Sequence, residues 1–317
     1  MRNPLTLITG ANGQIGKELT KALRNLHGTE SVICTDLKPD PDPSGPFELL
    51  DITDINKMKQ LIGDYKVTQI YHLAALLSSK GEQNPQLTWS INFDAYLKIL
   101  NLAVEMEIDR LFFPSTIGIY GPTTPKVNTP QNASFLPSTV YGISKLTGEM
   151  WGQYFRNRYK LDVRSIRYPG VISYGTIPSG GTTDFAVEMF FEALAKGKYI
   201  SYLLPDTRLP MVYMPDVING TLQLMNAPIE KVSIASAYNL AAFSLTPASL
   251  AESIKVHIPE FEINYQPDHR QAIAESWTET IDDSLARSDW GWAPEYDMTS
   301  MVQDMLSNIR IQQNQVS

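Results

Sequence analysis

Apolar and polar positions along the chain alternate in blocks that predict strands and helices in turn. An apolar run at 4–9 leads into a glycine-rich turn at 10–16, a helix-like segment and a second apolar run at 31–36. Prolines and a glycine between Pro39 and Pro46 exclude regular structure and mark a surface loop. Over 47–54 the pattern then predicts a short strand followed by a capping-type start for a helix around Ile55 to Gly63. A buried parallel strand follows at 68–75, then a loop over the sheet edge at 76–81. Leu87, Ile91, Ala95, Leu97, Leu100, Ala103 and Val104 recur at helical spacing, so residues 84–106 read as one long amphipathic helix. A core strand at 110–114, a proline-rich loop at 122–137, a helix to about Tyr159 and a strand at 162–168 complete the series.

Such alternation predicts an α/β fold, a Rossmann-type doubly wound parallel sheet with helices on both faces. Beyond Gly175 the rhythm loosens into a helix at 185–197, a strand at 209–213, a helix opened by Pro215 and Asp216, a short strand at 237–240, and further helices and loops. We therefore expect a dinucleotide-binding domain over 1–175 and a smaller C-terminal substrate lobe over 176–317. Within the lobe, about 209–240 is expected to pack back on the first sheet.

The first block also carries chemistry. Gly10, Gly13 and Gly16 fall where a strand gives way to a helix, with Asn12, Gln14 and Ile15 between and beside them. Asp36 ends the next strand about twenty residues on, as a dinucleotide fingerprint requires. A Cβ on these glycines would keep the backbone from a pyrophosphate whose charge the helix N–H groups stabilise. Asp36 would accept hydrogen bonds from both ribose hydroxyls and repel a 2′-phosphate, which predicts NAD rather than NADP. Asp51 sits where an adenine can be reached, although Asp, Thr and Asp before a helix are equally cap chemistry. Gly10, Asp36, Ala74 and Ser115 all fall at carboxyl ends of predicted strands, where ligands of doubly wound sheets gather.

Composition narrows the classes. The chain has 317 residues, 43% hydrophobic and 19% charged, with a net charge of −8, which disfavours a nucleic-acid partner. A lone cysteine, Cys34, and four scattered histidines offer no disulfide and no metal-ligand spacing. His72, inside an apolar strand, reads as a core residue. The first strand starts within a few residues of Met1 and no apolar run approaches the roughly 20 residues of a membrane span, so a cytoplasmic protein without membrane contact is expected.

Tyr141 and Lys145 stand four apart on a predicted helix and so share a face. A lysine ammonium and an oxidised nicotinamide nearby would both favour the phenolate, making Tyr141 a general base for oxidation of a secondary alcohol. Lys145 would also hold the nicotinamide ribose. Ser115 or Thr116 would hydrogen-bond the oxygen as it becomes a carbonyl.

Together, Gly10-x-x-Gly13-x-x-Gly16, Asp36, Asp51-Ile52, Leu73-Ala74-Ala75, Asn92, Ser115-Thr116, Tyr141-x-x-x-Lys145 and Tyr168-Pro169-Gly170 resemble the extended short-chain dehydrogenase/reductases over nearly the whole chain. The resemblance implies that these residues, with Leu37 and Ile172, line the cofactor. Within that family the chain is most similar to the epimerase-like L-threonine 3-dehydrogenases, through Pro114-Ser115-Thr116-Ile117, the 179–186 and 209–216 stretches and Asp289-Trp290-Gly291-Trp292. This implies NAD-dependent oxidation of the C3 hydroxyl of L-threonine to 2-amino-3-ketobutyrate, by a homodimer built on helices 84–106 and 139–159.

A zwitterionic substrate fits the residues. Gly180, Thr182 and Thr183, at a helix opening, offer N–H groups and hydroxyls to a carboxylate, with Ser78 on the facing loop. Asp184 is placed either to meet the ammonium or merely to start the helix, and Trp277 either to close the pocket over the methyl or to pack the lobe. Trp290 and Trp292 read as core. A nucleotide-sugar epimerase or dehydratase would use the same Tyr-Lys pair but needs a more basic lobe than one carrying Glu252, Glu260, Glu262, Asp282 and Asp283. An NAD-sensing protein would need no base.

Overall fold

The computed structural model describes residues 4–40, 44–176 and 181–316. Twelve strands are present among them: β1 (Thr6–Thr9), β2 (Val32–Asp36), β3 (Phe47–Leu49), β4 (Gln69–His72), β5 (Arg110–Thr116), β6 (Asp162–Tyr168), β7 (Gly170–Ile172), β8 (Lys198–Ser201), β9 (Leu209–Tyr213), β10 (Tyr238–Asn239), β11 (Phe243–Leu245) and β12 (Glu262–Tyr265). Seven form one sheet in the order β10-β6-β5-β4-β1-β2-β3, and every pair in it is parallel. The chain winds outward from β1 through β2 to β3, then returns to β4 on the other side of β1. Between β1 and β4 the direction of winding reverses, which opens a crevice at their carboxyl ends.

Consecutive residues on the strands serve opposite faces. Leu7, Ile70 and Phe113 join a core with the Ile55–Tyr65, Ala95–Glu105 and Val140–Tyr159 helices. Ile8, Tyr71 and Phe112 join another with the Gln14–His27 and Met214–Asn226 helices. Both faces are thus covered, as a parallel sheet requires. Arg164, buried on β6, donates to the carbonyls of Leu224 and Ala227, which satisfies orphan groups where the Met214–Asn226 helix ends.

Beyond β6 the chain leaves the large sheet at Pro169. β7, β9 and β11 make a second sheet, β8 and β12 a third, and a separate core of Phe185, Met189, Leu209, Tyr213, Leu250 and Met305 lies among them. β10 returns to the edge of the large sheet beside β6.

Two sequence expectations change. The 84–106 helix is interrupted: Asn84 caps Pro85–Trp89, a π-turn spans Ser90–Asp94, and only then does Ala95–Glu105 run as α-helix. The π-turn buries Asn92. The loop expected at 76–81 instead turns into a short helix, Ser78–Gln83, which packs toward the Val140–Tyr159 helix: a Cβ on Gly81 would lie 3.7 Å from Val140. The short strand and capping start expected over 47–54 appear as β3, ending at Leu49, followed by Asp51 accepting from Thr53 and Asp54 capping the next helix by accepting from Lys57 N–H at 3.0 Å.

Candidate active site

A cleft of about 1210 Å³, counted to its open mouth, lies at the carboxyl ends of β1, β4, β5 and β6. Gly10, Gly13, Gln14, Ile15 and Gly16 line one end. Gly10 takes φ +72°, and a Cβ there would sit 2.7 Å from the Ala74 nitrogen; one on Gly16 would sit 2.4 Å from the Gly10 carbonyl oxygen. The glycines let the turn fold this tightly against β4. The Gln14–His27 helix has no side-chain cap and no acidic residue in its first turn, so its positive end faces the cleft undisguised. These features fit a dinucleotide pyrophosphate.

Asp36, half-buried at the end of β2, accepts from Asn12 N–H at 3.1 Å, and Asn12 Nδ2 donates to the Lys38 carbonyl at 2.8 Å. Asn12 therefore laces the glycine turn to the end of β2. Leu73 and Ala75 line the cleft, while Ala74 supports Gly10 from behind.

The other predicted cofactor residues are less direct. Leu37 is exposed, Ile52 and Ile172 are buried in the core, and Asp51 is exposed with its carboxylate engaged by Thr53 N–H and Oγ1. None of these four lines the cleft. Nor does Asn92, whose amide accepts from Leu76 N–H at 2.8 Å and donates to the Leu76 carbonyl at 2.9 Å. Asn92 fixes the segment after β4 from the layer below.

At the opposite end stand Tyr141, Lys145, Ser115 and Thr116. Thr139 opens the Val140–Tyr159 helix by accepting from Gly142 N–H at 3.0 Å, which sets Tyr141 and Lys145 facing β5. Lys145 Nζ donates to the Pro114 carbonyl at 2.8 Å and lies 4.5 Å from the Phe113 ring centre and 5.8 Å from that of Tyr141. Burial pushes the Tyr141 phenol up to about 12, while its hydrogen bond with Thr116 works the other way. Burial also brings the Lys145 ammonium down to about 7. Both shifts oppose the phenolate and ammonium that the sequence pattern suggests, because each charge is disfavoured away from water. His72 is buried, shares a 2.9 Å hydrogen bond with Thr9 and is held near 3 by burial and then by Lys145, as fits a neutral core residue.

A model of the NAD dependent epimerase/dehydratase family matches residues 6–241. The chain belongs to this family. It is 44% identical to the mitochondrial L-threonine 3-dehydrogenase of Sus scrofa over 308 residues, 96% of this chain and 82% of that protein. The structure of a GalE-like L-threonine dehydrogenase from Cupriavidus necator, in its holo form, is 46% identical with TM-score 0.95, covering 96% of this chain and all of that one. A monomeric L-threonine 3-dehydrogenase from a metagenome is 43% identical with TM-score 0.94, covering 97% and 99% of the two chains.

Together with Tyr141 and Lys145, residues Thr182, Thr183, Asp184, Ser78 and Trp277 all line the cleft. Tyr168 and Gly170 line it from the β6–β7 junction. Gly180 lies outside the described residues. The turn at 181–184 is more self-contained than its sequence suggests: Gly181 N–H donates to Asp184 Oδ2 at 2.8 Å, and Tyr202 donates to the Gly181 carbonyl at 3.1 Å. The Gly181 N–H is therefore already spent within the turn, while Thr182 and Thr183 are among the residues lining the cleft. Trp277, 8% exposed, lines the cleft and belongs to the lobe core. Trp290 and Trp292 are core, with Trp292 Nε1 donating to Asp283 at 2.8 Å.

Sequence reasoning missed the groups behind Ser115. Its hydroxyl hydrogen-bonds Glu149, which pairs with Arg167 at 2.8 Å, both side chains being 2% exposed. Burial works against the Arg167 charge, yet the Glu149 carboxylate more than offsets this and holds the guanidinium above its usual value. One signal was available: Glu149 lies four residues beyond Lys145 and therefore on the same inward face.

Proposed function

We propose that this protein oxidises the C3 hydroxyl of L-threonine to 2-amino-3-ketobutyrate with NAD. The observation that carries the reading is the convergence of Tyr141, Lys145 and Thr116 at one end of a cleft whose other end is the glycine turn. Residues 1–175 hold the cofactor and 176–317 shape the substrate pocket. Gly10 to Gly16 cradle the pyrophosphate and Asp36 takes the adenosine ribose hydroxyls. Bound NAD supplies the hydride acceptor.

In its deprotonated form Tyr141 takes the C3 hydroxyl proton, and Thr116, bonded to the same phenol, keeps the oxygen in line. Lys145, anchored on the Pro114 carbonyl, orients the nicotinamide ribose and the phenol. Thr182, Thr183 and Ser78 receive the substrate carboxylate, and Trp277 covers the methyl group.

Because the base works deprotonated, its active form is lost as pH falls. With burial holding Tyr141 high, kcat/KM should climb with pH across roughly pH 6–10, and a flat profile would remove a titrating tyrosine from the mechanism. Asp36→Ser should shrink the preference for NAD over NADP by roughly tenfold or more, the scale of charged hydrogen bonds. An unchanged ratio of the two KM values would count against the ribose contact.

The direct test follows NADH absorbance with L-threonine beside serine, allo-threonine and simple secondary alcohols. Stoichiometric NADH from L-threonine supports the dehydrogenase, whereas an epimerase accumulates none. We also propose a cytoplasmic homodimer. No helix among the described residues is long and apolar enough to cross a membrane. Leu87, Ile143, Met150 and Tyr154 leave an apolar face exposed on the two helical stretches the dimer would use. Light scattering at twice the chain mass is the expected result.

A further inference from the structure

The network behind Ser115 decides which way that hydroxyl can bond. Glu149 accepts from Arg167 Nε at 3.0 Å through Oε1 and from NH2 at 2.8 Å through Oε2. Arg167 NH1 is committed in turn to Asn239 Oδ1 at 3.0 Å and the Gln131 carbonyl at 2.8 Å, so the guanidinium has no freedom to rotate away. A carboxylate gripped in this way only accepts hydrogen bonds. The Ser115 hydroxyl, bonded to Glu149 Oε1, must therefore give that oxygen its single proton. What Oγ has left is lone pairs, and Ser115, though only 2% exposed, is one of the residues lining the cleft. It offers a ligand an acceptor and no donor.

L-Threonine, on the reading above, brings two donors to this end of the cleft. Its C3 hydroxyl has Tyr141 as proton acceptor with Thr116 beside it, which leaves the α-ammonium. Asp184, a carboxylate lining the same cleft, has Oδ2 turned to its own loop at Gly181 N–H. We propose that Glu149, acting through Ser115, makes this wall a receptor for the ammonium of a β-hydroxy-α-amino acid and so sets the preference over the corresponding hydroxy acid. Ser115 touches the substrate, and Glu149 and Arg167 are positioning residues. The inference rests on the threonine-oxidising reading, and it reassigns Ser115 from the developing carbonyl, which needs a donor, to the amine.

The test compares L-threonine with (R)-3-hydroxybutyrate, which differs only in lacking the amine, each as substrate or, where turnover is slow, as a competitive inhibitor. Ser115→Ala should raise the KM for L-threonine roughly tenfold or more, the scale of a hydrogen bond to a charged group, and leave the hydroxy acid within about twofold. Glu149→Gln combined with Arg167→Met strands no buried charge and no longer obliges Ser115 to donate, so it should shift the ratio in the same direction. Equal losses for both compounds in Ser115→Ala would place Ser115 on the shared hydroxyl and overturn the inference, as would a wild-type ratio in the paired variant. Absence of NADH from L-threonine with the unaltered protein would instead overturn the dehydrogenase reading, before any variant is compared.

Discussion

Tyr141→Phe is expected to lower kcat with L-threonine by roughly 10²–10⁴-fold, the usual contribution of a positioned acid or base, and to leave NAD affinity within a few-fold. The substitution removes one oxygen and keeps the ring. The helix start is set by Thr139 and Gly142, and a Cβ on Gly142 would fall 2.2 Å from the Gly118 carbonyl oxygen, so the helix sits tight against the end of β5. Neither contact involves the phenol oxygen. Lys145 keeps its bond to the Pro114 carbonyl, and the glycine turn lies at the far end of the cleft. A stopped-flow measurement separates the outcomes: no hydride transfer with normal NAD binding is expected. Retained turnover would remove Tyr141 as the base, and a parallel loss of NAD affinity would mean that the phenol supports the cofactor instead.

What could be read from the sequence was local. The strand–turn–helix order at 6–27, the acid at the end of β2 and the four-residue spacing of Tyr141 and Lys145 are short-range patterns, and each appears in the structure where its spacing places it. Asp51 and Asn92 were harder because their surroundings, not their positions, decide what they do. The first is taken up by Thr53 two residues on, the second by the backbone of Leu76 across a π-turn. The turn at 181–184 reads as an open donor nest until Asp184 folds back on Gly181, a contact between side chain and backbone that hydropathy cannot express. Least legible was the chain of bonds from Ser115 through Glu149 and Arg167 to Asn239, which joins residues of four segments far apart in sequence. A charged residue in a helix reads as solvated; only the assembled sheet shows that this one is sealed.

That sealing predicts a large stability effect. Arg167→Met should cost about 3–5 kcal/mol, because it leaves a buried carboxylate without its counter-ion. The partners of the lost guanidinium add to this, since the Gln131 carbonyl loses its donor while Asn239 Oδ1 keeps only the Tyr120 hydroxyl at 2.6 Å. Glu149→Gln alone should be costly for the mirrored reason, a guanidinium stranded in the same low-dielectric site. The pair together removes both charges and should recover much of the loss, since burying two ions is itself expensive and their attraction only offsets that expense. Urea unfolding of the four proteins closes the cycle: the double variant is expected to lose far less than the sum of the two single losses, with m-values unchanged. A cost below about 1 kcal/mol for Arg167→Met, the range of an exposed pair, would mean that water reaches the site. Water would then compete with Ser115 for the Glu149 carboxylate, leaving the hydroxyl free to turn, and the wall facing the substrate amine would lose its fixed polarity.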